Sequence, residues 1–185
     1  MVDETKRDLL SRGWVQVKGS KGYDYLHNDS DQDAALFSQA SGLTGGVGTR
    51  SFYFPVFARD GWATFMYTLG DLGPGDGWPD LWAVTYVTVL VAPWPLPQGP
   101  DAWVTVDNGW SGPNPPLVHG IGPAVAPLLL SCPARYQPNL IVSGGRLLLW
   151  TRTRGAGPEG RHLTADLEAA YLPLAEQLWH LLTGR

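Results

Sequence analysis

Apolar residues alternate with a period of two through the middle of this chain and recur at helical spacing toward its ends. Residues 3–12 predict a short helix capped by Asp3, with Glu4 in its first turn and Gly13 as its stop. Trp14 to Val17 suits a short strand, and the polar, glycine-bearing run 19–28 a loop or weak hairpin. A second helix is predicted over 30–41, capped by Ser30 or Asp31 and stopped by Gly42. The period then changes to two. The runs 52–57 and 62–68 flank Asp60-Gly61, a strong hairpin signal. Pro55 cannot donate to a ladder, which predicts an edge or a bulge in the first run.

Residues 81–92 are apolar on both faces of a strand, which predicts a central position covered on two sides. The alternating prolines of 93–100 must be extended. Residues 101–106 predict another strand. The run 119–130 is ambiguous, because Pro123 and Pro127 oppose one regular helix, although Pro123 would suit the first position of a short one. A second hairpin follows, 140–142 and 146–153 joined across Gly144-Gly145. In 164–182, Leu167, Ala170, Tyr171, Leu174, Leu178 and Leu181 fall at helical spacing, with a kink or break expected at Pro173. Hairpins dominate and no strand–helix–strand unit repeats. The expected fold class is therefore α+β: a mainly antiparallel sheet of about five to seven strands with N-terminal and C-terminal helices packed on it.

Composition adds scale and compartment. The 185 residues, 44% apolar and 16% charged, suit a single globular domain over 1–185 that builds its own core. No apolar run approaches the ~20 residues that span a bilayer. The N-terminus is charged, without the apolar stretch of a signal peptide, and the single cysteine, Cys132, excludes an internal disulfide framework. These features predict a soluble, cytoplasmic protein without a membrane partner. Ten arginines against three lysines, beside 23 glycines and 16 prolines, point to a GC-rich bacterial source.

The net charge of −4 conceals segregation. Residues 60–134 hold six aspartates and no lysine or arginine, whereas 135–161 hold five arginines and one acid, Glu159. In the strand after Gly144-Gly145, Arg146, Leu148, Trp150, Arg152 and Arg154 share a face, and Arg161 follows. Arginines beside an indole suit stacking on bases and neutralising phosphates, preferably of single-stranded nucleic acid. They equally suit a solvated face with Trp150 tucked under arginine stems, which is the preferred reading. Nine tryptophans are present. Trp62, Trp82, Trp103 and Trp150 lie in strands and most simply fill the core. Trp78, Trp94 and Trp110 lie in Gly/Pro loops, as partner anchors or as lids over the core.

Patterns for catalysis and cofactors fail on specific residues. Asp29, Asp31 and Asp33 begin like a calcium loop, but Ala34 and Ala40 stand where glycine and glutamate are needed. The glycine run 42–48 lacks the lysine of a nucleotide-binding loop and leads into a strand. Gly109-Trp-Ser-Gly112 is followed by Pro113 where a nucleophile elbow needs glycine. His27, His119, His162 and His180 are isolated. No catalytic residue, metal site or cofactor is assigned. The leading expectation is a non-catalytic binding or interaction module with a macromolecular partner. Single-stranded nucleic-acid binding through Arg146, Trp150, Arg152, Arg154 and Arg161 comes second, and an enzyme with a site assembled from distant residues third.

Overall fold

The computed structural model describes residues 2–21, 50–53, 55–70, 84–99, 102–105, 117–119, 124–133, 137–154 and 162–185. The predicted helix over 30–41 lies outside them. Helix α1 spans Val2–Ser11. Strands follow as β1 (Val15–Lys21), β2 (Arg50–Tyr53), β3 (Pro55–Arg59), β4 (Trp62–Gly70), β5 (Val84–Val91), β6 (Ala102–Thr105) and β7 (Leu117–His119). Helix α2 (Val125–Leu130), strands β8 (Asn139–Ser143) and β9 (Arg146–Arg154), and helix α3 (Ala165–Thr183) complete the order. Among the described residues, nine strands form one antiparallel sheet in the order β1-β3-β4-β5-β9-β8-β6-β7, with β2 also beside β4. The α+β class is thus realised, with a sheet extended beyond the strands legible in sequence. Strands β2 and β3, which hold the described residues of the run 52–57, both pair with β4. Pro55, which opens β3, is exposed.

Turn chemistry sets the registers. Asp60 and Gly61 have φ of 51° and 83°, and Gly144 and Gly145 have 56° and 72°. Two successive positive φ angles give the hairpin turn whose twist matches the strands it joins. The resulting partners are Arg59↔Trp62 and Ser143↔Arg146. Helix α1 ends as predicted at Gly13, φ 83°. There Trp14 N–H donates to Leu9 C=O and Gly13 N–H to Leu10 C=O, each at 3.1 Å, satisfying carbonyls that the helix leaves open.

Period two divides the core between the two faces of the sheet. Leu90, Leu147 and Leu149 join Leu167, Tyr171, Leu174, Ala175 and Leu178 of α3, together with Leu9, Trp14 and Leu129. Val87, Val89, Val91, Leu148 and Trp150 form the opposite cluster with Val56, Ala63, Phe65 and Ile141. β5 lies between β4 and β9 and is buried on both faces over 87–91, as its two apolar faces require.

Two prolines behave differently from a simple helix-breaking rule. Pro127 is the third residue of α2, where its missing N–H has no intrahelical partner to lose. Pro173 neither ends nor divides α3, which runs unbroken for 19 residues. Both Pro173 and Ala169, the residue four positions earlier that a proline cannot donate to, are exposed. Among the described residues no helix is long and apolar enough to cross a membrane.

Candidate functional site

One end of the sheet carries an aromatic surface built from three separate elements. Trp62 opens β4 directly after the Asp60-Gly61 turn. Trp94 follows β5 in the proline-rich segment, and Trp179 lies in the last turns of α3. The Trp62 and Trp94 rings meet edge to face at 5.1 Å, and Trp94 lies 5.7 Å from Trp179 at a 41° tilt. All three are only partly buried and pack against the margin of the core.

Backbone contacts explain why these rings converge. The Asp60-Gly61 turn abuts Pro93 so closely that a Cβ on Gly61 would lie 3.0 Å from the Pro93 Cβ. The prolines cannot donate, so the residues between and before them anchor the segment. Ala92 N–H donates to Leu147 C=O at 3.0 Å and Leu96 N–H to Gly145 C=O at 2.7 Å. The Trp179 indole N–H donates to Pro95 C=O at 3.1 Å, which fixes that ring against the segment. His180 contacts Trp179 edge to face at 5.1 Å, and the Arg185 guanidinium lies over the Trp179 ring, 5.9 Å from its centroid.

A polar network occupies the junction of α1, β3 and the start of α3. Glu168 stands in the first turn of α3, which Thr164 caps by accepting from Leu167 N–H at 3.4 Å. One Glu168 oxygen accepts from the Arg12 guanidinium and, at 2.9 Å, from the Trp14 indole N–H; the other accepts from Arg59. Arg12 also bonds Leu163 C=O and the Asp8 carboxylate, the latter at 2.8 Å. Arg59 donates to Arg12 C=O at 2.9 Å and stacks over Trp14 at 4.9 Å. His162 Nε2 reaches Asp8 at 2.8 Å. Partial burial acts to raise the Asp8 carboxyl pKa, but the hydrogen bonds and charges of Arg12 and His162 outweigh it and hold the pKa below its ordinary value. Two carboxylates face two guanidiniums, so charge balances within the junction and its chemistry is that of a clamp between elements.

The residues singled out from sequence separate under this geometry. Trp150 is fully buried among Val89, Ile141 and Leu148, so its ring is a core element and offers no stacking face. Arg146 is exposed beside the Gly144-Gly145 turn. Arg152 and Arg154 pair through their backbones with Val87 and Thr85, and their side chains lie outside those described, as does Arg161. Of the loop tryptophans, Trp94 joins the aromatic surface, while Trp78 and Trp110 lie outside the described residues. Cys132 is partly buried against the core, and burial pushes its thiol pKa up. Among the described residues no three His, Cys, Asp or Glu side chains gather as a metal site. Trp62 and Trp179 are the members that sequence reasoning left out of the surface. Trp179 follows Leu178 at the flank of the apolar stripe of α3, a position that a helical projection places at the border of core and solvent.

Comparison with protein-family models, with curated proteins and with solved structures found no match to this chain.

Proposed function

We propose that this chain is a non-catalytic binding module that takes a macromolecular partner on the surface formed by Trp62, Trp94 and Trp179. The observation that carries this reading is the packing of three indoles from three elements into one partly exposed cluster. A lid over the protein's own core accounts for the buried part of each ring. The exposed part is rigid apolar area, the kind that supplies binding energy at the centre of interfaces. Its rings are held before any partner arrives, Trp179 through its hydrogen bond to Pro95 and Trp62 through its edge-to-face contact with Trp94, so little side-chain entropy remains to be lost. Trp78 and Trp110 extend the same proposal from sequence. A cytoplasmic setting belongs to it as well, since a chain with one cysteine suits a reducing compartment.

The test is selection of displayed peptides on the immobilised, folded protein. Affinities of the selected peptides are then measured for wild type, Trp94→Ala and Trp179→Ala, with thermal melts as the control for folding. The reading expects losses of at least about tenfold in a variant that remains folded, the scale of an interface hot spot. Peptides that bind both folded variants as tightly as wild type would place binding elsewhere and refute it.

A further inference from the structure

The aromatic surface already holds one ligand group, and that group is cationic. The Arg185 guanidinium sits over the Trp179 ring at 5.9 Å, within the range at which a cation is attracted by an indole face. Arg185 follows Gly184, whose left-handed φ of 67° ends α3 and turns the chain, with Arg185 N–H donating to His180 C=O at 3.2 Å. The cation is thus delivered to the ring by the helix ending itself.

The charges around the cluster have the matching sign. Asp60, in the turn directly before Trp62, has a side chain 88% exposed and lies 3.9 Å from Arg59 Nε. Glu176 is exposed three residues before Trp179, one turn along α3 and on the same side. Arg59, which immediately precedes the Asp60-Gly61 turn, is committed to Glu168 and the Arg12 carbonyl. The chain as a whole is acidic, at −4, with no lysine or arginine between 60 and 134. Phosphate groups would meet a carboxylate on the turn before Trp62 and another one helical turn before Trp179, whereas a guanidinium would find counter-charges there.

Resting on the binding-module reading, we propose that the partner presents an arginine-bearing peptide segment whose guanidinium takes the place of Arg185 over Trp179, with Asp60 and Glu176 supplying the rim charge. Arg185 is then a built-in competitor: it keeps the ring face covered in the free protein and must swing away when the partner binds. Displacing it subtracts from the affinity, so removing it strengthens binding.

Fluorescence anisotropy tests this with four labelled probes: an eight-residue peptide alternating Arg and Ser, the same peptide with Gln for Arg, the same with Glu for Arg, and a twelve-nucleotide thymidine strand. The Arg/Ser peptide is expected to bind best and to weaken as salt rises. Arg185→Ala is expected to tighten it about two- to fivefold, the scale of an exposed cation–indole contact. Trp179→Ala is expected to abolish that gain. Arg185 is exposed, so its replacement leaves folding aside and tests the competitor directly. Binding of the Arg/Ser peptide that Arg185→Ala leaves unchanged or weakens would overturn the proposal. So would preference for the Glu peptide or the nucleic acid. A neutral peptide that binds through Trp179 while the Arg/Ser peptide does not would refute the cationic partner and leave the module reading standing. Loss of Trp179-dependent binding to every probe and to the selected peptides would remove both.

Discussion

At the scale of single residues, Glu168 and Trp150 make opposite points about charge and aromaticity. Glu168 is the common acceptor for Arg12, Arg59 and Trp14, and its side chain is only 12% exposed. Its replacement by alanine removes the anion that the Arg12 and Arg59 guanidiniums share, leaving Asp8 beside Arg12 alone. Glu168→Ala is expected to destabilise the fold by about 3 kcal/mol in urea denaturation, the scale of removing one member of a largely buried ion pair. A loss below about 1 kcal/mol would mean that the junction contributes only surface pairing. Asp8 adds a pH dependence of definite sign. Its carboxyl ionises at lower pH in the folded protein than the ordinary 3.8, so the folded state binds fewer protons there. The contribution is present above 3.8 and disappears as pH falls through the lowered folded value. Asp8→Asn should therefore lose less stability than wild type across this acid range, and equal losses would contradict the assignment.

Trp150 shows how period two can be right while its meaning is not visible. The alternation along β9 places Leu148 and Trp150 on one face, as the sequence implies, yet that face is the second core cluster. Sequence shows which residues share a face but not whether that face meets solvent. Trp150→Ala is expected to cost about 3–5 kcal/mol in the same denaturation, as for deletion of a buried aromatic ring. The Glu168 junction left no comparable signal, because its partners stand 156 and 109 residues away in the chain.

At the scale of elements, the most legible features were those with local causes. Both two-residue hairpins follow from Asp-Gly and Gly-Gly, and the end of α1 follows from Gly13. Gly145 also meets a neighbour: a Cβ there would lie 3.0 Å from Leu96 C=O, on backbone already at φ +72°. Gly145→Ala is expected to destabilise by about 1–2 kcal/mol and to loosen the proline-rich segment, read as faster amide exchange at Leu96. The break allowed for at Pro173 does not occur, because the helix rule takes no account of exposure. With Ala169 and Pro173 both facing solvent, tertiary packing of Tyr171, Leu174 and Leu178 holds α3 in one piece. Pro173→Ala should restore the missing bond and stabilise the protein by about 1–3 kcal/mol; a destabilised variant would show that the proline is required by its surroundings.

At the scale of the whole molecule, the sheet brings together what the chain separates. Trp62, Trp94 and Trp179 come from a hairpin turn, a proline-rich connection and the final helix, and no spacing along the sequence links them. The loop placement of Trp94 marked it as a lid or an anchor, and in the structure it is the middle ring of a partly buried cluster. The account turns on whether that cluster is where a partner lands. The most direct measurement is 19F NMR of protein labelled with 5-fluorotryptophan, its resonances assigned by single Trp→Phe substitutions, during titration with the tightest selected peptide. The account predicts that the Trp62, Trp94 and Trp179 resonances move together while those of buried Trp14 and Trp150 stay in place. Movement of other resonances with these three unchanged would contradict it.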